Sequence, residues 1–196
     1  MITAGQTVQN PVTGERLVFH ETAEETAGEY VRFEAFITPG GSLPTAHVHP
    51  SQTETFEIVS GTLDMKLGST WFEAMPGDTV VIDPGVNHNF RNNGTDVAHF
   101  NVEVRPAIRI ESLIETMYGL AADGKTNRWG IPNPLQLAVV AREHFDTVRL
   151  AFPPAWTQRA ALAVGAPIGR MLGYRPVYTA SAATVAAREA DLALSA

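Results

Sequence analysis

The chain contains no cysteine. Disulfides, thiolate nucleophiles, iron–sulfur clusters and cysteine-ligated zinc are excluded together, so any bound metal must be held by His, Asp or Glu. Positive charge is scarce as well: 14 Lys and Arg stand against 21 Asp and Glu, a formal net charge of -7. Such a surface repels phosphate backbones and anionic lipid headgroups, and no nucleic-acid partner is expected. Long apolar runs are also missing. The most apolar stretch, Ala160 to Leu172, is too short to span a bilayer, is interrupted by Arg170 and follows Arg159. The first residues, Met1 to Gln6, carry neither a basic cluster nor an apolar run of signal-peptide length, which makes a cytoplasmic location the expectation.

What is present suffices for one full domain and a little more. The 196 residues are 44% hydrophobic and 18% charged, an ordinary globular composition. The charge is unevenly placed. Residues 1–110 carry 6 basic and 14 acidic side chains, a net of -8, and residues 111–196 carry 8 and 7, a net of +1. The two parts are therefore expected to do different jobs.

Up to Arg105 the sequence reads as short strands cut by turn residues. Strand-like stretches are Arg16–His20, Tyr30–Ile37, Glu54–Val59, Thr62–Leu67, Trp71–Met75, Thr79–Ile82, His88–Arg91 and Val97–Arg105. Glycine, proline, asparagine or aspartate closes most of them, a spacing that predicts a mainly β sandwich or barrel. After Pro106 the apolar period becomes helical. Three helices are expected, one from near Ile108 to Gly119 or Gly124, one from Leu135 to Arg149, and one from Ala155 to Gly173. From Thr179 onward the alanine-rich end predicts a weakly held helix or a frayed tail. The division expected is a β-barrel over 1–107 and a helical extension over 108–196.

Four of the six histidines lie between His47 and His99. His47 and His49 are two apart, so on a strand both imidazoles project from one face. Glu54 shares its face with Phe56 and Ile58, which points a carboxylate inward, a costly placement unless it is paired or bound to metal. His88 follows the turn Pro84, Gly85, Val86, Asn87 and can approach from another hairpin. Three imidazoles and one carboxylate suit a divalent first-row metal such as Fe, Mn, Ni or Zn, and leave positions open for water, dioxygen or a substrate oxygen. An oxygen-only calcium cage is disfavoured.

These residues resemble a known pair of motifs. Gly41, five residues, His47, one residue, His49, four residues, Glu54, six residues and Gly61 match the first cupin motif. Gly77, then Gly85, two residues, His88, three residues and Asn92 match the second, with Asp83 where that motif has proline and a proline one place later at Pro84. The resemblance covers roughly residues 30–105. It implies a cupin jelly-roll barrel with His47, His49, Glu54 and His88 as metal ligands.

The other candidates are weaker. His99 shares a strand face with Asn101 and Glu103, opposite Phe100, Val102 and Val104, and reads as a surface residue or as a partner of the site if the interior is polar there. His20 and His144 read as ordinary surface or partly buried residues. Phe36, Phe56, Met65, Trp71 and Phe90 read as barrel lining and pocket wall. The extension is expected to cover the barrel or support a homodimer. A DNA-reading helix–turn–helix is disfavoured by its near-neutral, scattered charge, and peripheral membrane contact through Ala155 to Gly173 has only a weak amphipathic signal.

For function, three readings are open at this level. A metal-dependent oxygenase acting on a small molecule ranks first, as in cupin dioxygenases of the quercetinase type, with Glu54 as ligand or base. A non-redox metal isomerase, cyclase or lyase ranks second, and a non-catalytic binding or sensing cupin third.

Overall fold

The structure, a computed structural model, describes residues 1–43, 45–181 and 184. Eleven strands and three helices are formed among them. The strands are β1 (Thr7–Asn10), β2 (Glu15–Glu21), β3 (Val31–Ile37), β4 (His47–Val48), β5 (Thr53–Ser60), β6 (Leu63–Leu67), β7 (Thr70–Ala74), β8 (Thr79–Ile82), β9 (His88–Arg91), β10 (Ala98–Arg105) and β11 (Arg149–Leu150). The helices are α1 (Ile110–Ala122), α2 (Pro134–Glu143) and α3 (Ala155–Met171).

Two antiparallel sheets face each other. One runs β1-β2-β3-β10-β5-β8 and the other β11-β4-β9-β6-β7. Alternation sets the faces: in β10, Ala98, Phe100, Val102 and Val104 are buried, and the residues between them are half-buried. The same parity buries Glu54, Phe56 and Ile58 in β5 and Val31, Phe33, Ala35 and Ile37 in β3. Phe56 packs against Phe90 and Phe100 at ring-centroid distances of 5.9 and 5.6 Å, joining the two sheets through aromatic contacts.

Parity also corrects two expectations. Phe36 lies on the outer face of β3, stacked on His99 at 4.3 Å and covered by the Arg16 guanidinium. Trp71 sits exposed on the outermost strand β7, beneath Arg91. Neither lines the barrel, whereas Phe56, Met65 and Phe90 do face inward.

Motif glycines shape the turns. Gly61 adopts φ +70°, and a Cβ there would meet the Val97 carbonyl oxygen at 2.6 Å, so the β5–β6 turn requires glycine. At Gly41 a Cβ would fall 2.8 Å from the Thr13 carbonyl oxygen. Asn92, fully buried, closes the second motif structurally. Its amide donates to the carbonyls of Ile37 and Asp96, both at 2.8 Å, and its Oδ1 accepts from the Gly94 N–H at 2.9 Å.

After Pro106 the strands give way to helices. Helix α1 places Ile110 and Tyr118 in the barrel's own core cluster. Asn133 caps α2, its side chain accepting from the N–H groups of Leu135 and Gln136. This helix ends at Glu143 rather than Arg149. The chain instead turns at His144, whose carbonyl accepts from the N–H groups of Thr147 and Val148. Arg149 and Leu150 then pair with Val48 and His47 and extend the smaller sheet. The apolar spacing of this stretch fits both outcomes, and the open edge of β4 decides for the strand. Gly169 lets α3 approach α2 closely, since a Cβ there would meet the Leu135 carbonyl oxygen at 2.7 Å. Thr179 and Ser181 are tied to Glu115 and Asp123. The rest of the expected tail, residues 182, 183 and 185–196, lies outside the described residues. No helix among the described residues is long and apolar enough to cross a membrane.

Candidate metal centre

The fold brings His47, His49, Glu54 and His88 to one point. One donor atom from each lies within 4.8 Å of the others. His47 opposes His88 directly across the β4–β9 pair, and their rings are 4.2 Å apart. His49 follows β4, its ring 5.0 Å from His47 and 5.2 Å from His88. Glu54 enters from the larger sheet, with Oε2 3.5 Å from His49 Nε2 and 3.1 Å from His88 Nε2.

Three features decide what this cluster can do. First, the buried atoms His49 Nε2, His88 Nε2 and Glu54 Oε2 have no hydrogen-bond partner: they are close but not aligned as donor and acceptor. Orphaned buried polar atoms are costly, and three converging on one place fit a cation between them.

Second, the opposite ring nitrogens are fixed. His49 Nδ1–H donates to the Thr147 carbonyl at 2.9 Å and lies 3.2 Å from Gln52 Oε1. His88 Nδ1–H donates to the Val86 carbonyl at 3.0 Å. In both rings this leaves Nε2 as the atom aimed into the cluster, where loss of its proton frees the lone pair that metal ligation requires. Gln52 is anchored in turn by donating to the carbonyls of Pro106 and Ala107.

Third, the charge states suit a cation. Burial would raise the Glu54 carboxyl, but positive charge on the flanking His49 and His88 rings overcomes that and holds it well below the usual carboxylate range. Glu54 in turn outweighs burial at His49 and raises it; a dication in place of the ring protons would play the same part. Burial and the other two imidazoles push His47 down to about 3, so it is a neutral donor. Ligands on one ion sit up to about 4 Å apart at bond lengths of 2.0–2.2 Å. The donor atoms lie within 4.8 Å of one another, so the widest pair would close by up to about 0.8 Å, shared between two side chains, to accept a metal.

The turn before His88 keeps its function despite Asp83. Val86 N–H closes it onto the Asp83 carbonyl at 3.1 Å, and Gly85 N–H donates to the His49 carbonyl at 2.7 Å. This last bond ties the second motif directly to the first.

His47, His49 and Glu54 open onto a chamber of about 820 Å³. Its walls are mostly apolar, with Phe33, Phe56, Phe100 and Val102 from the larger sheet and Ile114 and Met117 from α1. His99 is not in the chamber. It lies on the outer face of the larger sheet, with Nε2 3.8 Å from Glu34. His20 is also outside, 3.4 Å from the same carboxylate. His144 is fully buried rather than partly so, its Nε2 3.1 Å from Ser112 Oγ and its Nδ1–H donating to the Val140 carbonyl.

Two contributors escape a sequence reading. Thr147 orients His49 through its backbone, which leaves no side-chain signal, and it comes from the helical extension 98 residues away. Glu15 places a second carboxyl in the chamber wall from β2, alone in an otherwise unremarkable strand.

Residues 33–104 match the sequence model of the Cupin domain family. No curated protein matches the chain. Among solved structures, a predicted oxalate decarboxylase from Thermotoga maritima is similar at 17% identity over 54% of this chain and 99% of that one, with a TM-score of 0.47. A conserved protein with a double-stranded β-helix domain from Klebsiella pneumoniae is 20% identical over 55% of this chain and 84% of that one, at a TM-score of 0.42. A sugar phosphate isomerase of the cupin superfamily from Silicibacter pomeroyi is 21% identical over 49% and 62%, also at 0.42. With two antiparallel sheets, both motifs in place and the family model spanning them, residues 33–104 of this chain form a cupin domain.

Proposed function

We propose that the chain is a metal-dependent oxygenase acting on a largely apolar small molecule, with His47, His49, Glu54 and His88 holding the ion. The observation that carries the reading is the convergence of four donor atoms, three of them buried and without a hydrogen-bond partner, at the edge of a large apolar chamber. A divalent Fe, Mn or Ni ion there would supply Lewis-acid and one-electron chemistry.

The chain's own residues supply the rest. Thr147, Gln52 and Val86 hold two imidazoles in the tautomer that presents Nε2. Ionised Glu54 provides the negative charge that a dication needs and, where it releases one oxygen, a base beside the chamber. The aromatic and aliphatic walls orient a substrate by shape and keep bulk water from the reacting end. Pairing of two copies belongs to the same proposal, and sedimentation equilibrium reads it directly.

The test is elemental analysis of protein purified without added metal, followed by a substrate screen with and without dioxygen. Iron, manganese or nickel near one per chain, with turnover only in dioxygen, is the expected result. Turnover under anaerobic conditions overturns the oxygenase reading and moves the chain to a Lewis-acid isomerase, cyclase or lyase.

A further inference from the structure

The chamber has a second polar end. Glu15 opens β2 on the same inward face as Leu17 and Phe19, a position that otherwise takes an apolar side chain. Its carboxyl is buried, lines the chamber, and accepts a hydrogen bond from Thr13 Oγ1 at 2.5 Å. Tyr118 on α1 stands beside it as the other neighbouring donor. Both donors are neutral, and no Lys, Arg or His among the described residues forms an ion pair with it. A carboxylate offers about four lone-pair positions, so two donors leave acceptor capacity facing the chamber.

The two ends are well separated. Glu15 pairs with Ile37, which pairs with Ala98 on β10, whereas Glu54 pairs with Val104 on the same strand. Six residues at about 3.3 Å each offset the two backbone positions by roughly 20 Å along the strands, on strands three places apart in the sheet. Helix α1 lines the chamber through Ile110, Leu113, Ile114 and Met117 and places Tyr118 beside Glu15. The wall is mostly apolar, with Arg149 and His144 among its polar members.

We infer that the Glu15 end of the chamber is an anchor for a hydrogen-bond-donating group, an alcohol or an amine, carried at the far end of an elongated apolar ligand whose other end lies at the His/Glu cluster. The inference deepens the metal reading and rests on it for the near end alone. An ionised Glu15 is destabilising while it is buried beside neutral donors alone, and a ligand donor at this position adds to its hydrogen bonding. An ammonium group adds the positive charge that the surroundings of Glu15 lack, whereas a hydroxyl adds only a neutral bond.

Three probes separate these sources: dodecanoate, 12-hydroxydodecanoate and 12-aminododecanoate. Each has a carboxylate for the near end. At roughly 1.3 Å advance per bond, from a bond length of about 1.5 Å, a twelve-carbon chain with its end contacts covers the separation. Calorimetric titration of the manganese-loaded protein is expected to show at least one donor-ended chain binding about tenfold or more tighter than dodecanoate. In Glu15→Gln, which keeps the shape and an acceptor oxygen, an amine's advantage disappears and a hydroxyl's persists. In Glu15→Met both disappear while dodecanoate binds as before. Equal affinities of the three probes for the unmodified protein, no binding of any of them, or an advantage that survives Glu15→Met overturns the inference. Repeating the titrations after chelation keeps the two readings apart. Affinities unchanged by metal removal sink the metal reading of the near end, while the contrast among the three chain ends still decides the anchor.

Discussion

Glu15 also makes a prediction about folding. Burial raises its carboxyl from 4.5 to about 7, with the hydrogen bonds from Thr13 and Tyr118 offsetting part of the rise. Below about pH 4.5 the group is protonated in the folded and unfolded chains alike and costs nothing. Between 4.5 and 7 the unfolded chain releases the proton while the folded chain keeps it, so stability falls as the pH rises. Above 7 both are ionised and the loss is constant. At 1.36 kcal/mol per pH unit, the interval is worth about 3 kcal/mol, or roughly 6–12 °C in Tm for a chain of this length. Glu15→Gln removes the ionisation and keeps the side-chain volume. Any pH-independent cost of the new amide, and every other titrating group, cancels when the variant and the parent are compared at two pH values. Urea unfolding at pH 4.5 and pH 8 is the assay. The variant should gain about 3 kcal/mol on the parent between the two conditions. Parallel stability profiles would mean that Glu15 is hydrated in the folded protein, and the burial argument would be refuted.

Removing one ligand should empty the centre: His49→Ala or His88→Ala is expected to lose metal by elemental analysis yet keep the circular-dichroism spectrum of the barrel, and full stoichiometry in either would refute the assignment. Loading the parent with metal at a hundredfold excess over Kd should add about 2.7 kcal/mol of stability, seen as a Tm rise that chelation reverses and that both histidine variants lack. Asn92→Ala should cost about 1–3 kcal/mol in denaturant unfolding, because one buried and two partly buried backbone groups lose their partner, and should leave metal affinity unchanged. Gly61→Ala should cost about 2 kcal/mol or more through its left-handed backbone and the Val97 carbonyl, and a neutral result would show that the turn relaxes.

How much of this was legible in the sequence depended on whether a residue's role is local. Alternation and turn residues place eight strands close to where they form, because side-chain parity and glycine angles act within a few residues. The motif spacings bring His47, His49, Glu54 and His88 together for the same reason: two hairpins and one sheet crossing determine their positions. The strand β11 was not legible, because Arg149 and Leu150 carry no signal beyond their neighbours and depend on an open edge about a hundred residues earlier. Phe36 and Trp71 misled because an aromatic residue fits either face of a strand, and only the register with β10 and β6 turns them outward. Glu15 was silent because a single glutamate in a strand looks like solvent-facing charge until the parity of Leu17 and Phe19 is known to be inward.

The same distinction bears on the helical extension, which composition separated from the barrel by charge. Its three contributions to the chamber act through different forces. Strand β11 completes the backbone hydrogen bonding of β4 and so holds the strand that carries His47. Thr147 sets the tautomer of His49 through one carbonyl. Helix α1 supplies an apolar wall and Tyr118. The barrel's motif supplies four donor atoms, but at least two of them are aimed or held by chain that follows Pro106. The two parts therefore share one site: the barrel supplies a single carboxylate, Glu54, where a cation would sit, together with part of the apolar wall, and the extension contributes the aiming of His49, the pairing of β4 and the remaining wall.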